Sequence, residues 1–395
     1  MRKIIFIYAL SINLIFGADH RVPATKESVV LGLFETNRQP IVKVKNGDTV
    51  ALGTWNSCLQ EMAFNKTTPA DVAKFYTAHQ IQRSRGMHSL TGPVYVEGAE
   101  PGDVLEIHIL DIQLNDFGYN FLSPSQGIFT DFSKPRIQYF LFDKKSLTTE
   151  FAPGVCFHLK PFPGVIGVCP PSDWPTGWPV DLQASAGQPA PNQFNSVPPG
   201  PFGGNLDQRD LQVGTVIFLP VFHKGALVWT GDSHAMQSNG EIDVTALETS
   251  YESIKLQFFV RKDLQAKAVF DQSLRNGQDV LSWPIIENTT HWIFVGLNTD
   301  LLEAMRLAAS NAIDFLVRFQ GFNKEEAFQF LSMVGSFDIT EAVNEIKNVS
   351  VHIPKNIFKG KSQIQTLCQP AAMPFNPPTP DRSAPCAPQT GEIIY

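Results

Sequence analysis

The chain is poor in charge. Only 17% of its 395 residues are Asp, Glu, Lys or Arg, the formal net charge is −7, and no basic run occurs. Without a Lys/Arg stripe there is no electrostatic footprint for a phosphate backbone, so nucleic acid is excluded as a partner class. Beyond the N-terminus no apolar stretch is long enough to span a bilayer. Cysteine is scarce, and the spacings of Cys58, Cys156, Cys169, Cys368 and Cys386 match no zinc-finger pattern. The G-x-S-x-G elbow of serine hydrolases is missing, and so is helical periodicity before residue 290. What the chain does have is 43% hydrophobic residues, 30 Phe, 28 Gly and 29 Pro. That is ample core punctuated by turns, and it favours a β-rich fold of one large domain or two to three smaller ones.

The first residues, "MRKIIFIYALSINLIFGADH", run from Arg2 and Lys3 through an apolar Ile4–Phe16 to Gly17 and Ala18. This pattern predicts a signal peptide over 1–18, export to the periplasm or medium, and no stable membrane span after cleavage. The small-residue cleavage rule is met loosely, because Ile15 or Phe16 takes the upstream position; an uncleaved anchor is the other reading. Export suits oxidised cysteines. Cys156/Cys169 and Cys368/Cys386 are local pairs that would leave Cys58 free, although spacing leaves the pairing open.

Residues 19–290 alternate strand and turn. "IVKVKNGDTVALGTW", "PVYVEGAEPGDVLEIHILDIQL" and "GTVIFLPVFHKGALVWTGDSHA" each read as strand, turn, strand, and "YESIKLQFFVRKDL" as a further strand. In "LEIHILDI" the alternation places His108 on the more solvated face. Residues 153–204 are too rich in Pro and Gly for a helix. Helical periodicity enters in 291–359. A helix begins at the caps Asn298, Thr299 and Asp300 and ends at Gly321, with Leu301, Met305, Ala308, Ala309, Ala312, Phe315, Leu316 and Phe319 on one face. Asn323 and Glu326 cap a second helix through Leu331. Residues 360–395 read as a Pro-rich extended tail. The fold class expected is mainly β: a sandwich or jelly-roll-like core, a smaller β-barrel-like part and a C-terminal α+β subdomain, with helices confined to about residues 298–335.

One stretch collects ionisable side chains in a chain that has few. "TGDSHAMQSNGEIDVTALETS" (230–250) contains Asp232, His234, Glu241 and Glu248. It is either a solvated hairpin or a site. Asp232 and His234, two apart on a strand, would face one side and suit a divalent metal, and Glu241 would serve as base and proton shuttle. Asp207 or His88 would complete the shell, and Asn205 would donate to an oxyanion. Each has a plainer reading. Asp207 caps a turn, His88 is a satisfied loop histidine, Glu97 and Glu100 shape the turn before Pro101, and Glu248 pairs with a strand neighbour.

Three segments, in order, resemble the acetamidase/formamidase family. They are Thr91-Gly92-Pro93 with Val96 through Asp103; Gly203-Gly204-Asn205 with Asp207; and Pro220-Val221, Gly225-Ala226, Gly231-Asp232, His234-Ala235, Gln237 and Gly240-Glu241. The resemblance runs from about Val42 to Phe358. It implies hydrolysis of small linear amides by a metal-activated water, releasing ammonia and a carboxylic acid. It implies a divalent cofactor, zinc foremost with calcium the alternative, a small amide as partner, and a homo-oligomer. Two departures stand out: Ser238-Asn239 replaces the family's usual Gly-Asp before Gly240-Glu241, and His223 replaces an apolar residue. They keep open a non-catalytic or divergent exported metal- or ligand-binding member of the same scaffold.

Overall fold

The computed structural model describes residues 17–57, 63–78, 87–174, 190–264 and 282–358. The apolar leader (1–16), the tail and Cys58, Cys368 and Cys386 lie outside the described residues. Two nine-stranded sheets dominate. The first runs Asp19–Val22, Thr49–Leu52, Tyr251–Arg261, Val104–Leu114, Val216–Pro220, Ile285–Glu287, His291–Asn298, Lys347–Pro354 and Ser336–Glu341. It continues across residue 290, so the C-terminal part adds strands to the same sheet. The second follows Gly203–Asn205, Phe162–Val168, Val228–Met236, Leu247–Thr249, Phe117–Leu122 and Arg136–Leu141. A smaller branch joins Ser89–Val96 to Val29–Leu31, Val42–Val44 and Val228–Met236. One hydrophobic cluster takes Ile107, Ile109, Leu256 and Phe258 from the first sheet and Val165, Ile166, Val228 and Trp229 from the second.

The strand–turn–strand segments are arches between the two sheets. Val42–Val44 joins the second sheet and Thr49–Leu52 the first. Ser89–Val96 and Val104–Leu114 divide in the same way, as do Val216–Pro220 and Val228–Met236. The last two arches clasp each other. Val96 N–H donates to the Gly225 carbonyl (2.9 Å), Gly225 N–H to Ala99 (2.8 Å), Gly102 N–H to Val221 (3.0 Å) and Val221 N–H to Asp103 (2.9 Å).

Among the described residues, α-helices occur chiefly near the C-terminus, with one addition. Helix α1 (Pro69–Ala78) lies well before residue 298. Its start is fixed by Pro69 at the first helical position and by Thr68, whose N–H and hydroxyl both donate to Asp71 Oδ2. Val72 anchors it against Tyr119, Ile137 and Tyr139. Helix α2 (Leu301–Gln320) is capped by Asp300, which accepts from Leu302 and Glu303 N–H, and stops at left-handed Gly321. Its buried face keeps Ala308, Ala312, Phe315 and Leu316 of the expected one and differs at the first turn. Ala304, Ala308, Asn311, Ala312, Phe315 and Leu316 are buried, whereas Leu301 and Met305 are exposed. Small residues set that face because α2 runs hard against Gly296, where a Cβ would stand 2.0 Å from the Ala304 carbonyl oxygen. Helix α3 (Lys324–Val334) has the full Asn323/Glu326 capping box.

Two further expectations change. His108 is buried, not solvated: its Nε2 meets Glu106 Oε1, its ring packs edge-on against Phe259, and Arg261 Nη1 reaches Glu106 Oε2 at 2.7 Å. Alternation placed it away from the inter-sheet core, but this ionic cluster keeps that face of the strand buried as well. Cys156 and Cys169 are not partners. Cys169 is a free thiol beneath Trp229, whose Nε1 lies 3.3 Å from its sulfur, whereas Cys156 is exposed on a separate hairpin and disulfide-bonded elsewhere.

Candidate active site

The second sheet brings the candidates together. Asp232 and His234 share the strand Val228–Met236, and pairing sets His234 opposite Glu248 on one side and Phe162 on the other. Asn205 ends the strand Gly203–Asn205, opposite Val165. Asp207 follows, its N–H bonded to the Gly164 carbonyl at 3.2 Å. Glu241 lies past the strand end, where Gly240 pairs with Glu341 from the first sheet. Gly164 is the floor. A Cβ there would come within 2.5 Å of Asp232 Oδ2, 2.6 Å of His234 Cε1 and 2.8 Å of Asp207 Oδ1, so only glycine lets the three side chains converge.

His234 is at the centre. Its Nε2 stands 3.2 Å from Asp232 Oδ2 and 3.5 Å from Glu248 Oε1. Two groupings of potential ligands share it, Asp232–His234–Glu248 and Asp207–His234–Glu241, with ligand atoms within 4.8 Å of one another. Phe162 meets the His234 ring edge-on, and the Tyr251 hydroxyl donates to the backbone carbonyls of Phe162 and His234. His88 lies one layer out, with Nε2 4.0 Å from Asp232 Oδ2 and Nδ1 2.8 Å from Ser196 Oγ.

Burial disfavours ionisation throughout, and neighbours decide the outcome at each group. For Asp232 the His88 and His234 imidazoles outweigh burial and hold the carboxyl well below its usual range. For His234 burial opposes the charged ring, but Glu248 and Asp232 prevail and raise it to about 10. Glu248 is pushed up to about 7, by burial first, against the pull of His234. Glu241 is raised well above the carboxylate range by burial and then by Asp207 and Glu341, and Asp207 by burial and then by Glu341 and Asp232. Buried carboxyls this close cannot all be ionised without a cation among them.

These groups open into a cavity of about 820 Å³, lined by Asn205, Asp207, Asp232, Glu241, Glu248 and His88 at its polar end. His223, the other departure from the family pattern, lies elsewhere: its Nε2 is held at 2.6 Å by the Pro170 carbonyl, and it does not line the cavity. The turn before Pro101 is shaped by Asp103, whose Oδ2 accepts from Glu100 N–H at 3.0 Å, while the Glu100 carboxylate pairs with Lys224 Nζ at 3.3 Å. Sequence reading overlooked Glu341 and Asn344. Glu341 presses on Glu241 and accepts from Val343 and Asn344 N–H, and Asn344 Nδ2 donates to Asp207 Oδ2 at 3.0 Å. They arrive from the far edge of the other sheet, and nothing in "TEAVNEIKN" signals that approach.

The architecture and this cluster define a class. A family model described as the acetamidase/formamidase family matches residues 22–360, and the chain belongs to that family. A formamidase of Methylophilus methylotrophus is 28% identical over 326 residues, 69% of this chain and 77% of that one. An acetamidase of Mycolicibacterium smegmatis is 27% identical over 300 residues, 62% of this chain and 72% of that one. The crystal structure of an acetamidase from Bacillus halodurans superposes with a TM-score of 0.69 at 26% identity, covering 86% of this chain and 98% of that one.

Proposed function

We propose that the chain hydrolyses the carbon–nitrogen bond of linear amides, releasing ammonia and a carboxylic acid, with a divalent metal as cofactor. Family membership makes it an amidohydrolase, and relatives named acetamidase and formamidase support linear amides as its substrates. One observation carries the metal. His234 Nε2 lies within 3.2 Å of Asp232 Oδ2, yet neither ring nitrogen has a hydrogen-bond partner. The groups are close but aimed past one another, as donors around a shared cation are. Two ligands about 2.1 Å from a tetrahedral zinc stand roughly 3.4 Å apart. Asp232 and His234 would hold the ion, with Asp207, His88 or the additional Glu248 closing the shell. The mixed nitrogen and oxygen donors favour zinc over calcium.

Bound there, the metal would polarise the amide carbonyl and acidify water. The protein's own groups do the rest. Asn205 donates its amide N–H to the carbonyl oxygen as negative charge gathers on it. Glu241, ionised once a cation sits among these carboxyls, takes a proton from the attacking water as the new C–O bond forms. It returns that proton to the nitrogen as the C–N bond breaks, and so ends as it began. We place the protein outside the cytoplasm, as a homo-oligomer.

Ammonia release from formamide, acetamide and propanamide, measured alongside elemental analysis, tests this reading. Turnover with about one equivalent of zinc is expected. Turnover that survives complete removal of metal by chelation would refute the cofactor, and no ammonia from any short amide would refute the activity.

A further inference from the structure

The cavity is far larger than the smallest amides need. Benzene fits an apolar cavity of roughly 150 Å³, and acetamide is smaller than benzene, whereas this cavity measures about 820 Å³. Its lining is mixed. The carboxyls of Asp207, Asp232, Glu241 and Glu248 face it, and Val72, Phe121, Val197 and Val343 supply apolar wall. Ser123–Gly127 also lines it, and the loop continues to Phe129 and Phe132, which pack edge-on against each other while 57% and 52% exposed. Ser125 N–H donates to the Phe132 carbonyl at 3.0 Å, which sets Phe132 beside the lining loop. Charge sets a second limit. None of the described lining residues is Lys or Arg, while Asp207, Asp232, Glu241, Glu248 and Glu345 all line it. Away from the Asp232/His234 cluster, an acyl group carrying a carboxylate would find no Lys or Arg among the described lining residues to pair with.

We propose that the site takes uncharged amides with a medium-length apolar acyl chain, the amide at the Asp232/His234 end and the chain along Phe121 and Val343 toward Phe132. This rests on the amidase reading above. The reaction balances as before: water adds its oxygen to the acyl carbon, the C–N bond breaks, and ammonia leaves with the proton carried by Glu241.

The test is kcat/KM across acetamide, butanamide, hexanamide and octanamide, with 5-carboxypentanamide as the charged counterpart of hexanamide. Each methylene moved out of water is worth about fourfold, so hexanamide should exceed acetamide by on the order of a hundredfold. The carboxylate analogue should fall well below hexanamide. Val343→Thr, which keeps shape while adding a hydroxyl, should lower the hexanamide-to-acetamide ratio, and Phe132→Ser, at an exposed position, the octanamide-to-acetamide ratio. Acetamide turnover with a flat or falling series, or with ratios unmoved by both variants, overturns this inference alone. Absence of turnover on every amide overturns the amidase reading and this inference with it.

Discussion

Three carboxylates in the cavity sit on backbone that L-residues seldom adopt: Asp207 at φ 45°, Asp232 at φ 49° and Glu241 at φ 43°. Such left-handed positions cost free energy and persist where the surroundings over-determine them. At Asp232 the backbone leaves the extended region within the strand Val228–Met236, so simple alternation is not what brings its carboxyl to His234. The Asp-x-His pair and Glu241 were legible because acids and a histidine are conspicuous in a chain so low in charge. Glu248 joins them only through strand register opposite His234, and Glu341 only because the edge of the first sheet reaches Gly240. Neither register nor sheet order can be read from spacing. At this scale Glu241→Gln should keep the metal, by elemental analysis, and lose about 10²–10⁴-fold in kcat. His234→Ala should lose metal and activity together, because the ring is the one nitrogen donor common to both ligand groupings. A Glu241→Gln enzyme active within a few-fold of the parent would remove the proton-carrying role.

Among the elements, strands and C-terminal helices were legible where a local signal decides them: alternation for Val104–Leu114, the Asp300 cap and Gly321 stop for α2, and the Asn323/Glu326 box for α3. What local signals do not specify is the partner. A turn such as Asn46-Gly47 reads equally as a hairpin within one sheet or an arch between two, and here the strands it joins are divided. The first turn of the buried face of α2 differs for a related reason, since it answers to Gly296 on the strand beneath. This gives an ordering of two variants. Gly296→Ala drives a Cβ into the α2 backbone, 2.4 Å from Ala308 N, and neither partner is a side chain that can swing away. Overpacking of this kind costs about 1–3 kcal/mol or more. Asp300→Ala removes a cap accepting two N–H groups, typically about 1 kcal/mol. Urea denaturation should rank Gly296→Ala as the more damaging; the reverse order would mean that α2 is held mainly by its cap.

At the scale of the whole molecule, the question is where the mature chain starts and what its first strand contributes. Asp19–Val22 forms the edge of the first sheet, parallel to Thr49–Leu52. Asp48 ties that edge down: its Oδ1 accepts from Ala18 N–H and its Oδ2 from Lys45 N–H, both at 2.7 Å. Cleavage before Ala18 would leave both bonds intact. A chain beginning at Ala18 should therefore melt within a few degrees of the full-length protein and hydrolyse amides at the same rate. Native protein recovered outside the cytoplasm should begin at Ala18 or Asp19 by mass spectrometry; an intact Met1 in a cytosolic fraction would overturn export. The same contacts predict the response to acid. Burial resists the Asp48 charge, but the Lys45 and Ala18 amides prevail and hold its carboxyl below the usual range. A depressed carboxyl stabilises the fold above its unfolded value and loses that contribution as pH falls through the native one. Asp48→Asn should thus lower the melting temperature at pH 7, and the gap to the parent should close below about pH 4, where the unfolded carboxyl titrates. A gap unchanged between pH 7 and pH 3 would show that the Asp48 charge does not hold the first strand in place.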